Sequence, residues 1–354
     1  MVDKLRIDSH KLLFHPSRVS EWLVGKNIYP VTVEISPSGS CNHRCCFCAF
    51  DYLDYSPSFL KSEVIMPNLK EMSEKGVKAI VVCGEGEPLL NRETPEIINQ
   101  ARGFGLDVSL VSNGVLFSHE VAECCLKSLT WIRFSVNAGT IETYRKVHQG
   151  GLNDFNIALN NIKNAVEIKK KYGLQTTIGV QMLLIPENFQ ETLTLAHKLK
   201  EIGVDYFTVK PYSQHPKSNH SLDSSFNYQD HQQLESELNK LSTDDYSVIF
   251  RSKSMNKLVK NKSYTHCLGL PFWAYIDSKS NVWACLAHIG DPNFCFGNLG
   301  EATFVEMWEG ERRAEQMKKF ENMSITKCRE LCRLDEINTY LHELKYPGGH
   351  VNFI

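Results

Sequence analysis

No apolar run in this chain approaches the roughly 18 residues that a membrane-spanning helix needs. The N-terminus, MVDKLRIDSHKLLFHP, lacks the long apolar stretch of a secretion signal. Charge of one sign is not in excess: the formal net charge is −2. Nothing there argues for a nucleic-acid or acidic-membrane partner. Internal repeats and low-complexity tracts are also missing. What remains is an ordinary globular composition, 42% hydrophobic and 23% charged. Its 354 residues suffice for one large domain and a small one. Cysteine is what the chain does have, with twelve. Without a secretion signal they point to a reducing cytosol, and to metal binding or catalysis before disulfides. A cytoplasmic location is the expectation.

The cysteines fall in two sets, seven between Cys41 and Cys125 and five between Cys267 and Cys332. That division suggests two separate sites. The first set opens with Cys41, Cys45 and Cys48 in SGSCNHRCCFCAF. Three thiolates this close cannot all pair as disulfides, but they can converge on one metal centre. Three ligands leave a four-coordinate site one position short, which is where a substrate or cofactor binds. A structural zinc site or buried free cysteines are the plainer readings. Zinc sites usually show paired Cys-x-x-Cys or Cys/His groups, and only His43 is near as a fourth ligand.

From residue 31 to about 211, short β-branched runs alternate with longer amphipathic ones. Strands are expected at Val31–Ser36, Ala79–Cys83, Asp107–Ser112, Trp131–Val136, Thr177–Met182 and Asp205–Lys210. Helices are expected over about 59–75, 92–104, 117–127, 154–171 and 188–202. Strands separated by helices argue for parallel βαβ units. Right-handed crossovers curl six such units into a partial barrel, with its site at the carboxyl ends of the strands. The triad follows the first strand, Gly84–Pro88 the second, and Ser112-Asn113-Gly114 the third. Residues 213–230 are polar and read as a long loop over the barrel mouth. A helix over about 229–241 follows. Phe272–Ile276 and Asn281–Cys285 form a β-hairpin around Asp277–Ser280. Helices over about 302–319 and 334–344 close the chain.

Cys41-xxx-Cys45-x-Phe47-Cys48, followed by Gly84-Glu85-Gly86-Glu87-Pro88, resembles the radical S-adenosylmethionine (SAM) enzymes. The likeness extends to Ser112-Asn113-Gly114, to Ser135–Thr140, and to Gly179-Val180-Gln181 with Pro186-Glu187-Asn188. It covers roughly residues 30–211. It implies a 4Fe-4S cluster on the three triad cysteines, with SAM on the fourth iron and a 5′-deoxyadenosyl radical as product of one-electron cleavage. Thiolates suit iron–sulfur chemistry, and a closed barrel keeps water away. By this resemblance Phe47 packs near the adenine. Gly84 and Gly86 let the backbone approach the methionine end, and Glu87 receives the SAM ammonium. Ser112 and Ser135 are candidates for the carboxylate or ribose, and Gln181 and Leu183 for ribose and adenine. Arg145 or His148 stands where relatives often bind a carboxylate. Glu85 departs from the family pattern, and Cys46 reads as a loop thiol.

Cys267, Cys285, Cys328 and Cys332 resemble the abbreviated, or twitch, form of the SPASM domain. Phe272-Trp273, Val282–Cys285, Phe296–Leu299 and Glu306–Trp308 share in that likeness. It implies one auxiliary 4Fe-4S cluster with no open iron, suited to electron transfer. A Cys₄ zinc site is the alternative. Cys83, Cys124 and Cys125 read as buried structural thiols. The fold class is thus α/β, a partial (β/α)6 TIM-like barrel with a small C-terminal auxiliary-cluster domain of β-hairpin plus helices. The expected divisions are an extension over 1–30, the barrel over 31–225, a helical linker over 226–262 and the auxiliary domain over 263–354.

Two reactions fit. In one, a hydroxylated small molecule (a sugar, cyclitol or activated sugar) is oxidised to a ketone, with the auxiliary cluster accepting an electron. In the other, a radical epimerisation ends with hydrogen return from Cys295. Peptide modification is a third reading. Relatives of that kind often carry a leader-recognition domain, for which the stretch before the first strand is short. Lys210 and His215, in Lys210–His215 after the sixth strand, are the substrate-binding candidates. A flavodoxin- or ferredoxin-type electron donor is the expected partner. The non-enzymatic alternative is a metal-stabilised scaffold, against which Glu87 and the intact triad argue.

Overall fold

The computed structural model describes residues 5–222, 226–258, 260, 262–326 and 328–353. Seven parallel strands follow one another in order: β1 (Thr32–Ile35), β2 (Ala79–Val82), β3 (Asp107–Ser112), β4 (Trp131–Ser135), β5 (Thr177–Leu184), β6 (Tyr206–Pro211) and β7 (Ser247–Phe250). On the other side of β1 lies β8 (Trp273–Ile276), then β9 (Asn281–Trp283) and β10 (Cys295–Asn298). The ten strands form one sheet. Because β8 pairs parallel with β1, Thr32 opposite Trp273 and Ile35 opposite Ile276, the auxiliary hairpin continues the barrel sheet.

Alternation along each strand divides the two faces. Ile35, Val82, Leu110, Ile132 and Ile178 form one row across the sheet, all fully buried. That face packs on the crossover helices, among them Ser62–Glu74, Thr94–Gly103, Asp154–Tyr172 and Thr192–Ile202. The opposite, concave face carries Glu34, Ser109, Arg133, Ser135, Gln181, Thr208 and Lys210. A parallel sheet covered on its outer face this way is a barrel wall.

Expected and observed strands agree within two residues for β1 to β4 and β6, and β5 runs on to Leu184. The segment expected to be a helical linker contains β7, which extends the barrel beside β6, Tyr206 opposite Ser247. Ser-Val-Ile-Phe is too short to show a strand period, and pairing with β6 supplies what the local sequence does not. The helix expected over 302–319 is two, Phe304–Glu309 and Glu311–Phe320, divided at Gly310 in extended conformation. Thr303 and Glu306 close a capping box on the first of these. Helices Pro16–Leu23, Ile141–His148 and Ser252–Lys257 carried no strong sequence signal. Among the described residues no helix is long and apolar enough to cross a membrane.

Candidate functional site

The loop leaving β1 carries the triad, and each of its sulfurs sits beside one N–H group. The His43 backbone N–H donates to Cys41 Sγ at 3.4 Å and that of Phe50 to Cys48 Sγ at 3.5 Å. His148 Nδ1 lies 3.3 Å from Cys45 Sγ. The three thiols are mutual electrostatic neighbours. Burial, and after it the Glu87 carboxylate, pushes the Cys41 thiol up to about 12. Burial drives Cys45 well above its ordinary value, with Cys41 and Cys48 adding to it. Neighbouring thiols that resist ionisation in the free chain, each with an N–H in place, are a donor set that a cationic centre would ionise together. Cys46 has Glu187 and Lys146 as its charged neighbours.

A buried ring system backs Cys45. The Asn137 backbone N–H donates to His148 Nε2 at 3.1 Å. An amide cannot accept, so in the neutral ring the proton is assigned to Nδ1, facing the sulfur. Burial, and then His43, holds His148 well below its ordinary pKa, so the ring is neutral. Tyr144 stacks on it at 4.1 Å, and Phe47 meets its edge at 5.5 Å. His43 Nε2 lies 2.9 Å from Asp154 Oδ2. His43, Cys45 and His148 also place three ligand atoms within 4.8 Å of one another. Both imidazoles already have partners for Nε2, in Asp154 and Asn137.

The Gly84–Pro88 loop packs directly on the triad loop. A Cβ on Gly86 would lie 1.9 Å from the Ser40 carbonyl oxygen, and one on Gly84 2.4 Å from Ser36. These glycines let the two protein loops meet. Glu87 is buried. It accepts from Ser112 Oγ at 2.7 Å, the Asn113 N–H at 2.8 Å and the Leu89 N–H at 3.3 Å. Burial pushes its carboxyl to about 7 against the pull of these hydrogen bonds. Ser112 Oγ also accepts from the Gly114 N–H at 3.0 Å. Its hydroxyl is committed to Glu87 and its own turn.

Farther round the mouth, Ser135 and Gln181 face each other across β4 and β5. Neither side chain has a hydrogen-bond partner among the described residues. Leu183 N donates to Asn137 Oδ1 at 2.6 Å, and its carbonyl accepts from Asn188 at 2.8 Å. Only its apolar side chain is left to pack on a ligand. Arg145 is exposed on the helix Ile141–His148. Its guanidinium joins no hydrogen bond or ion pair among the described residues. His148 is turned to Cys45 instead.

The second set also converges. Cys267 has Cys332 and Cys328 as electrostatic neighbours, and Cys285 has Cys332, Cys267 and Cys328. No cysteine in the chain is in a disulfide. Two N–H groups again point at sulfur, Asn338 Nδ2 at 3.5 Å from Cys267 and Leu334 N at 3.4 Å from Cys332. Burial, and then Cys332, raises Cys267 to about 12. Cys295 stands apart on the edge strand β10. Its row runs through Trp283 and Tyr275 to Glu34, which places its Cα three strand spacings, about 14 Å, from the β1 axis. Its thiol is directed to the Gly297 carbonyl at 3.6 Å.

Two joints tie the sites together. Glu85 is buried and accepts from Ser278 Oγ at 2.7 Å and Tyr275 Oη at 3.3 Å. Burial, then Asp277, raises its carboxyl to about 7. Arg333, beside the last cysteine, reaches in from the surface to an ion pair with the buried Glu34 of β1. A strap over residues 212–220 crosses the mouth between the sites. Its Ser218 Oγ donates to the Cys48 carbonyl at 3.1 Å, and its Ser213 carbonyl accepts from Arg329 at 2.7 Å. His215 in this strap is buried and stacks on Tyr52 at 5.2 Å. Its Nδ1 accepts from the Lys217 N–H at 3.1 Å, which leaves the proton on Nε2, buried and unpartnered. Burial and then Arg329 lower its pKa to about 4, so the ring is neutral.

A barrel with open-ended cysteine chemistry at its mouth and a four-cysteine appendage defines a class. A family model of the Radical SAM superfamily matches residues 35–209. One for an iron–sulfur cluster-binding domain, SPASM, matches residues 267–333. The chain belongs to the radical SAM superfamily and carries a SPASM-type domain. It is 28% identical over 186 residues to "Probable GTP 3',8-cyclase" of Methanopyrus kandleri, covering 52% of this chain and 58% of that one. The protein of the same name from Metallosphaera sedula is 30% identical over 167 residues, 47% of this chain and 50% of that one. The chain thus spans about half the length of the curated relatives it matches. Its fold is similar to SuiB of Streptococcus suis bound to precursor peptide SuiA, with TM-score 0.66 at 15% identity over 87% of this chain and 71% of that one. It is also similar to anSMEcpe with bound AdoMet, with TM-score 0.57 at 18% identity over 87% and 88%.

Membership brings a SAM-binding 4Fe-4S cluster, an auxiliary iron–sulfur cluster and SAM as cofactors. The donor chemistry fits them. A three-sulfur set at the mouth leaves a position for SAM, and a four-sulfur set leaves none.

Proposed function

We propose that this protein is a radical SAM oxidoreductase that converts a carbinol of a hydroxylated small molecule to a ketone. A sugar, cyclitol or activated sugar is the substrate class. Cys41, Cys45 and Cys48 hold the SAM-binding cluster, and Cys267, Cys285, Cys328 and Cys332 the auxiliary one. When bound, these groups supply a 5′-deoxyadenosyl radical that takes one hydrogen atom and an acceptor for the second electron, the hydroxyl proton leaving to water. Phe47 and Leu183 offer apolar contact to an adenine, and Ser135 and Gln181 offer hydrogen bonds to a ribose.

The observation that carries this reading is the set of unpartnered polar groups under the mouth. His215 Nε2–H, Ser135, Gln181 and Lys210 lack side-chain partners among the described residues. Buried polar groups are ordinarily satisfied, so the buried, unpartnered His215 Nε2, with the open Gln181 and the half-buried Ser135 and Lys210 beside the mouth, suits a ligand rich in hydroxyls. His215 donates to a substrate oxygen from Nε2, and the strap keeps bulk water from the radical. The reductant is an external protein of flavodoxin or ferredoxin type, and the setting cytoplasmic.

Anaerobically reconstituted enzyme, incubated with candidate polyols in deuterated buffer, tests this. A product two hydrogens lighter, without solvent deuterium, is the expected result. Deuterium at the reacting carbon without mass loss would replace oxidation by epimerisation. Turnover of a peptide but of no polyol would sink the substrate class.

A further inference from the structure

The concave wall of the barrel is layered. Gly179 has no room for a Cβ, which would lie 2.1 Å from the Tyr206 ring. Arg133 on β4 stands in the same row as Gly179 and Tyr206, and Lys210 stands two same-face positions farther along β6. Arg133 lies over the Trp131 ring at 5.5 Å, and its Nε is buried with no partner. Lys210 lies opposite Leu183 at the top of β5. Neither cation forms an ion pair or a side-chain hydrogen bond among the described residues. Glu34 is matched by Arg333 and Arg251 by Asp8. Arg329 is spent on the Ser213 carbonyl.

Two uncompensated cations in an enclosed wall are costly unless something negative joins them. Arg133 is the largest charged influence on Lys210, and with Arg329 and Arg251 it holds that ammonium, already depressed by burial, well below its ordinary pKa. The charged form of Lys210 is thus disfavoured in the free chain, and an anion placed between Lys210 and Arg133 would restore it.

We propose that the substrate carries a phosphoryl group, and that Lys210 and Arg133 receive it on the concave wall beneath the triad. This rests on the oxidoreductase reading and narrows its substrate class to phosphorylated or nucleotide-activated polyols. A phosphate monoester carries a charge of about −1.5 to −2 at neutral pH, which matches two unpaired cations better than a single carboxylate does. Arg offers a fork of donors and Lys a point charge, a combination suited to three phosphoryl oxygens. His215 is then left for a substrate hydroxyl, and the Ser135–Gln181 pair, whose row lies between those of Arg133 and Lys210, for oxygens beside the phosphoryl group.

Binding of inorganic phosphate to the reconstituted holoenzyme with SAM, without reductant, tests the site apart from turnover. Calorimetry is expected to show phosphate binding that weakens about tenfold or more in Lys210→Met and in Arg133→Met. Lys210→Arg, which keeps the charge, is expected to retain it. Should Arg133→Met fail to fold, the Lys210 pair decides alone. Equal phosphate affinity in Lys210→Met, no phosphate binding by the wild type, or tighter binding of acetate than of phosphate would each overturn the proposal. The oxidoreductase reading is judged separately by the mass of the product, so either can fail without the other.

Discussion

His148 Nδ1 lies 3.3 Å from Cys45 Sγ, while its Nε2 accepts the Asn137 backbone N–H at 3.1 Å. The second bond decides what the first can be. With Nε2 held as an acceptor, the neutral ring must present N–H to sulfur. Asn137 Oδ1 in turn accepts from Leu183 N at 2.6 Å. A ligand of the triad is thus oriented by a residue at the end of β4 that also fixes the end of β5.

Replacing His148 by Phe removes that donor while keeping an aromatic ring against Tyr144. Donors to cluster sulfurs favour the reduced, more negative state. The midpoint potential of the triad's cluster should therefore fall. One charge-assisted hydrogen bond is worth about 1.5–3 kcal/mol, which bounds the one-electron shift at about 130 mV. His148→Asn, whose amide can place N–H near the Nδ1 position, should recover part of it. EPR-monitored reductive titration checks both. An unchanged potential in His148→Phe at full iron content would make the ring a packing residue only.

Iron stoichiometry separates the two cysteine sets. The reconstituted wild type should hold about eight irons per chain, four for each cluster. Replacing Cys267, Cys285, Cys328 and Cys332 with Ser should leave about four, with 5′-deoxyadenosine still formed under dithionite. Replacing Cys41, Cys45 and Cys48 should also leave about four but abolish 5′-deoxyadenosine. Loss of all iron in the triad mutant would mean that the second set binds none.

Glu85 gives a pH signature. Its carboxyl is raised from 4.5 to about 7, so the folded chain holds this proton more tightly than the unfolded chain does. Stability then falls as pH rises between those values, because there the native state binds more protons. Glu85→Gln keeps an acceptor for Ser278 and cannot ionise. Relative to wild type it should gain stability from pH 5 to pH 8, by up to about 3 kcal/mol. Thermal unfolding across that range measures it. Parallel profiles for the two proteins would show that Glu85 does not retain the proton. Glu87, also raised to about 7, is common to both proteins and cancels in the comparison.

The local chemistry was legible in the sequence because it is local. Cys41, Cys45 and Cys48 lie within one loop, and Gly84–Pro88 ends the next strand. The inward row of Arg133, Ser135 and Gln181 follows from strand alternation alone. What was not legible depends on long-range pairing. His148 meets Cys45 across 103 positions and Ser278 meets Glu85 across 193. No period or spacing encodes such contacts. The same limit explains Gly86, whose missing Cβ makes room for Ser40, and Ser112, whose hydroxyl is taken by Glu87. It explains Cys295 too, since its distance from the triad is set by the order of β8 to β10 and by nothing near it in the chain.

His215→Ala tests whether the strap takes part in substrate handling or only covers the mouth. The ring is buried, with Nδ1 tied to the Lys217 N–H and Nε2–H unpartnered. Its contacts to Tyr52 and Phe50 are ring packing, and the strap keeps its anchors at Cys48, Asp51 and Arg329 without it. Iron content and SAM cleavage without substrate should therefore persist in His215→Ala. Product formation should fall by about tenfold or more, because an unmet substrate oxygen in a desolvated site costs about 1–3 kcal/mol. His215→Gln, whose amide nitrogen can stand near the Nε2 position, should restore part of the turnover. Assaying 5′-deoxyadenosine and oxidised product side by side distinguishes the cases. If His215→Ala lowers both equally, the ring supports the SAM site. If it lowers neither, the strap is a cover and the polar groups that choose the substrate lie on the barrel wall.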